Sequence, residues 1–169
     1  MLVLRQLTFA AITLAVPCFA QTGTVMFYSI SLSTLKQVKV ATTPIGTVPF
    51  TGWLFDGSQR LAHASAGRFM TFHLAAGQHS FTVPYSSCGP GKTALLLQIE
   101  SGGHYCVRLS ASDVNPIVVP IAYVDSKIEQ VPCGQASQEA KKYKRIDVKR
   151  VDVTARNMLD ASPTFPEAN

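Results

Sequence analysis

The stretch "GRFMTFHLAAGQHSFTVPYSS", residues 67–87, decides the fold class. Phe69, Thr71 and His73 fall on one side of an extended chain; Met70, Phe72 and Leu74 fall on the other. Side chains of a strand alternate between its two faces, so an apolar row opposite a mixed row predicts a sheet packed on one side. Residues 75–78, "AAGQ", turn the chain, and Phe81 and Val83 align on the return, which predicts a hairpin. Helical periodicity is nearly absent from residue 24 to residue 125, and short apolar or alternating runs end at Gly, Pro, Ser or Asp.

Upstream, "TVMFYSI" (24–30) reads as a strand, and "LKQVKVATTP" (35–44) alternates at Val38 and Val40. "TVPFTGWLFDG" (47–57) enters Asp56-Gly57, a pair suited to a two-residue hairpin turn, and "QRLAHAS" (59–65) returns. Downstream, "TALLLQIE" (93–100) and "HYCVRLS" (104–110) flank Ser101-Gly102-Gly103, predicting a third hairpin. In its second arm Tyr105, Val107 and Leu109 oppose His104, Cys106, Arg108 and Ser110. "PIVVPIAYVD" (116–125) reads as a last strand. "GQASQEAKKYKR" (134–145) predicts one helix over about 136–145. Ser137 is its candidate cap, and Ala136, Ala140 and Tyr143 form a stripe too narrow to hold a helix unless it leans on the sheet. "IDVKRVDV" (146–153) suits an edge strand or an extended arm, and residues 147–169 read as an extended or disordered basic tail, with proline and polar content at the end. The expectation is mainly β: a small antiparallel β-sandwich spanning residues 21–146, with one C-terminal helix.

The chain opens "MLVLRQLTFAAITLAVPCFAQ", with Arg5, an apolar run from Leu7 to Val16, Pro17, and small Ala20 before Gln21. That is the layout of a secretory signal peptide, residues 1–20, and the run is too short for a membrane span. Pro17 stands where a lipid-anchoring signal needs a small residue before Cys18, which favours a periplasmic or extracellular product. Loss of Arg5 takes the formal net charge from +5 to +4. Cys88, Cys106 and Cys133 then meet an oxidising compartment, where one bridge and one leftover thiol is the simplest account. Cys88 and Cys133 each precede Gly in loop-like sequence and form the first-choice pair; Cys88 with Cys106 is the second choice. Cys106, inside a strand, is the candidate lone thiol.

Residues 86–93, "SSCGPGKT", mimic the end of a phosphate-binding loop. The first glycine of that motif would fall at Ser86, and the mechanism needs a helix to start at Lys92-Thr93 so that its amides meet the phosphates. The alternating run after Thr93 predicts a strand, so no nucleotide, and no cofactor, is expected. His63, His73, His79 and His104 lack partners at metal-ligand spacing. His79, just after Gly77-Gln78, is expected to hydrogen-bond within its turn. No Gly-x-Ser-x-Gly motif or paired carboxylates stand out, and no enzymatic activity is expected. Residues 139–156 carry seven basic and three acidic residues. Lys141, Lys142, Lys144 and Arg145 are a candidate surface for an anionic polymer, a lipid surface or an acidic envelope protein, or else a solvated helix face. Nucleic acid is disfavoured by export and by the presence of Tyr143 as the sole stacking residue there. Trp53 and Tyr85 are candidate glycan contacts, though a core strand would carry Trp53 and Phe55 equally well.

The run "WLFDGSQRLAHASAGRFMTFHLAAGQHSFTV" (53–83), followed by "SGGHYCVRLS" (101–110) and a polar helix, resembles bacterial envelope domains of the PEGA type. It is closer to a related uncharacterised family of secreted proteins and lipoproteins. The likeness covers roughly residues 24–145. It implies a transthyretin-like or prealbumin-like sandwich without established catalytic residues, serving as an accessory or interaction module at the cell envelope. The chain departs from that pattern in lacking a lipid-anchoring signal, in Cys88 and Cys133, and in its basic C-terminal segment.

Overall fold

The computed structural model describes residues 21–30, 51–83, 94–112 and 125–161. The expected strand at 35–44, the expected strand at 116–125 except its last residue Asp125, the Ser86–Thr93 loop, the leader and residues 162–169 lie outside them.

Two sheets are stacked. One has five strands in the order β8-β7-β1-β4-β9, the other four in the order β3-β2-β5-β6. The strands are β1 (Thr22–Ser29), β2 (Gly52–Asp56), β3 (Gln59–Ala64), β4 (Arg68–Ala75), β5 (Gly77–Thr82), β6 (Ala94–Ile99), β7 (His104–Ser112), β8 (Asp125–Val131) and β9 (Lys144–Arg145). A helix, α1 (Cys133–Ala140), lies between β8 and β9. The fold is therefore a small, mainly β sandwich with a late helix. β1 lies parallel to β7 and β9 parallel to β4, so the five-stranded sheet is mixed where antiparallel pairing alone was expected.

The alternation in 67–75 holds. Met70, Phe72 and Leu74 enter the space between the sheets, where Phe27 meets Phe81 edge-on at 4.9 Å and Phe72 at 6.3 Å. Val25, Val107 and Leu109 join them from β1 and β7, and Leu97 and Ile99 from β6. Burying such side chains supplies roughly 1.5–3 kcal/mol each. The Asp56-Gly57 hairpin also forms, with Asp56 opposite Gln59 and Gly57 at φ 54°, a conformation that costs glycine little. Gly23 is needed for another reason: a Cβ there would lie 2.6 Å from the Ile99 side chain and 2.7 Å from the Glu100 carbonyl.

The other two expected hairpins are corners between sheets. β4 pairs with β1 and β9, whereas β5 pairs with β2 and β6; likewise β6 and β7 belong to different sheets. Period two survives either connection, so alternation alone does not distinguish a hairpin from a corner.

A second apolar cluster covers the outer face of the five-stranded sheet. Met26, Tyr28, Ile30, Phe69, Cys106 and Val131 pack beneath Ala136 and Ala140 of α1, with Tyr143 alongside. The helix leans on the sheet as expected, but it starts at Cys133, so Ser137 lies inside it and Pro132 occupies the cap position.

Residues 146–161 are folded, contrary to the expected tail. The Ile146 amide donates to the Phe69 carbonyl, Asp152 to Leu61 and Asp160 to Thr71. Val151 bridges to Ala62 of β3 and Leu159 to Phe72 of β4, so the segment runs from an edge of one sheet to an edge of the other. Two short 3-10 turns, Val148–Arg150 and Val153–Met158, carry it. Asp147 and Asp152 accept the amides of Lys149 and Thr154 at their starts. Ile146, Val151 and Ala155 are in the main core. Their spacing of five and then four matches neither strand nor helix, which is why the pattern reads as tail.

Candidate functional surface

Among the described residues, three polar clusters tie parts of the sandwich together. In the first, His79 Nε2–H donates to the Ala75 carbonyl at 2.9 Å, while Nδ1 lies 2.5 Å from Asp56 Oδ2. Asp56 Oδ1 also accepts the Ser80 amide at 3.3 Å. The ring stacks on Phe81 at 5.8 Å. His79 thus ties the β4–β5 corner to the β2–β3 hairpin, an extension of its expected role within the turn. Both ring nitrogens are thus engaged in contacts that hold the fold.

The second cluster lies under α1. Tyr28 donates to Glu139 Oε2 at 2.6 Å; Arg108 Nη1 and Gln135 Nε2 donate to Glu139 Oε1 at 3.0 and 2.7 Å. Arg108 also pairs with Glu129, opposite it on β8, and Lys127 takes the other Glu129 oxygen at 2.8 Å. Burial, reinforced by the Glu139 hydrogen bond and charge, pushes the Tyr28 phenol far above its ordinary value. For Glu129 burial pushes upward, but the hydrogen bonds from Lys127 and Arg108 outweigh it and hold the carboxyl below its usual range. Arg108 is likewise opposed by burial, yet Glu129 and Glu139 raise it overall. The result is a satisfied charge network that holds the helix down.

The third joins the C-terminal segment to β3. Arg60 Nε donates to Asp152 Oδ2 at 2.7 Å, and its guanidinium lies 4.3 Å from the Trp53 ring centre. Arg60, then the amide and hydroxyl of Thr154, bring the Asp152 carboxyl down to about 2. His63 meets Trp53 edge-on at 5.2 Å. One face of the candidate glycan platform is therefore taken by Arg60. Tyr85, its proposed companion, is outside the described residues.

The disulfide joins Cys106 and Cys133, with Cα atoms 5.2 Å apart, in place of either pairing with Cys88. Cys106 faces outward from β7 in register with Val131, the last residue of β8. The chain then passes Pro132, and this brings Cys133 over Cys106. A strand cysteine is thus no lone thiol when a neighbouring strand ends beside it. Cys88 is outside the described residues.

The basic residues are arranged differently. Lys141, Lys142 and Lys144 are exposed, as are Lys149, Arg150 and Arg156. Arg145, expected to share that surface, is half-buried, and its Nη1 donates to the Ala161 carbonyl at 2.7 Å. Lys144 stands opposite exposed Arg68 in the β9–β4 register, and Arg150 donates to the Ser65 hydroxyl in the turn just before β4. Two of the three acids in the segment are paired with cations elsewhere, Glu139 with Arg108 and Asp152 with Arg60. Asp147 remains exposed. Sequence reasoning missed Lys149, Arg150 and Arg156 as members of this surface, because they fall in the supposed tail.

His73 accepts no cluster of ligands: its Nδ1 lies 3.3 Å from the Thr24 hydroxyl and its Nε2 4.0 Å from Asp160. Among the described residues no three His, Cys, Asp or Glu side chains are grouped to hold a metal, and no helix is long and apolar enough to cross a membrane. The β6 strand begins at Ala94, directly after Thr93, as the alternating run predicts.

By architecture the chain is a two-sheet β-sandwich with a disulfide-tethered helix. Comparison with protein-family models, with curated proteins and with solved structures found no match.

Proposed function

We propose that this chain is an exported, non-catalytic interaction module of the bacterial cell envelope, one that contacts an anionic partner through its C-terminal cations. The separation of charge supports this reading above all. Within residues 139–156, Glu139 and Asp152 are paired with Arg108 and Arg60, while six cations face solvent. Such a surface produces a local positive field that concentrates anionic partners. The acid–base groups that could suggest catalysis are committed to holding the fold: His79 through both ring nitrogens, Glu139 through both oxygens.

Retention on immobilised polyphosphate across a salt series tests this. The chain should bind at low salt and elute as screening shortens the reach of its charges. The triple variant K141Q/K142Q/K144Q should bind about tenfold more weakly or worse, taking a few tenths to one kcal/mol per exposed contact. Retention that ignores salt, or ignores the triple variant, would contradict the reading.

A further inference from the structure

The cations share their segment with exposed apolar side chains. Of three large apolar residues that stand well exposed among the described residues, Leu96, Val148 and Val153, two lie in this one segment. Val148 starts the first 3-10 turn, beside Lys149 and Arg150; Val153 starts the second, which carries Arg156. Buried Val151 lies between them and fixes the turns to β3. Val153 is 72% exposed and Val148 47%, so both are presented outward, whereas Val151 between them is buried. A soluble polyanion has no use for such side chains. A membrane surface does: anionic headgroups attract the cations, and the first layer of acyl chain accepts the valines.

Resting on the reading of an anionic partner, we infer that this partner is an anionic phospholipid surface, docked by Lys141, Lys142, Lys144, Lys149 and Arg150 with Val148 and Val153 inserted at the headgroup boundary. The chain sits on the membrane rather than in it. No covalent lipid is required by this arrangement, because several cations and two apolar side chains act together. Each cation adds about fivefold to partitioning near a strongly anionic surface, and the two valines together add about tenfold if they insert.

The test uses the full chain and its V148S/V153S variant, with sedimentation against vesicles of phosphatidylcholine alone or mixed with phosphatidylglycerol, and the polyphosphate retention assay in parallel. Melting curves matched to the parent show that the variant is folded, as substitutions at exposed positions should leave it. The inference predicts binding to the mixed vesicles and not to phosphatidylcholine alone. It also predicts about tenfold weaker vesicle binding by V148S/V153S, with polyphosphate retention unchanged. Equal binding to both vesicles, or vesicle binding insensitive to the valines, overturns it. Retention on polyphosphate without vesicle binding overturns the membrane and leaves a soluble polyanion as the partner. Loss of both overturns the anionic reading itself.

Discussion

A chain ending at Asp147 should lose about 5 kcal/mol of stability, enough to abolish a cooperative melt or lower its midpoint by about 15 °C. The loss follows from the core. Truncation removes fully buried Ala155 and nearly buried Val151, together with Met158 and Leu159, which pack against the same cluster. It also leaves the Leu61 and Thr71 carbonyls without the amides of Asp152 and Asp160. The edge of β3 would then be open, and unpaired strand edges invite association with other chains. Circular dichroism with heating reads the result. A truncated chain within about 0.5 kcal/mol of the parent would mean that the segment is peripheral.

Removing the Cys106–Cys133 bridge, by C106A/C133A or by reductant, should cost about 3.5 kcal/mol on the chain-entropy estimate for a closed loop of this length. The separation of the two cysteines is 27 residues. The cost should be concentrated at α1, whose start is held by the bridge and whose last turn is held by Glu139 through Tyr28 and Arg108. Urea unfolding of the double variant measures the loss. Peptide mapping without reductant should recover Cys106 joined to Cys133, and C88S should leave both the bridge and the midpoint intact. A map that joins Cys88 to either partner would contradict the arrangement.

The parts that could be read in advance were those set by local chemistry. Residues 68–74 and 105–109 show which side chains enter the core because a strand alternates whatever it pairs with. Asp56-Gly57 specifies its hairpin through backbone conformation alone, and His79 lies near enough to its own turn to be assigned there. What escaped depends on partners far along the chain. A corner and a hairpin have the same period, so β4–β5 and β6–β7 could not be sorted into two sheets. β8 went unseen because Ile128 is its one apolar residue before Val131. Cys106 finds Cys133 only because β7 and β8 are neighbours. The basic stretch was visible in composition. Which of its charges face solvent was not, because that depends on Arg60 and Arg108, on strands far upstream in the chain.

Residues 146–160 belong to the folded sandwich and present its cations from a fixed frame. Hydrogen exchange on the intact chain, read residue by residue, tests this most directly. The amides of Ile146, Asp152 and Asp160, bonded to the Phe69, Leu61 and Thr71 carbonyls, and those of Val151 and Ala155, bonded to the Val148 and Asp152 carbonyls, should be protected to a degree comparable with β1 and β4. Exchange at the rate of an unstructured peptide from residue 147 onward would contradict the account.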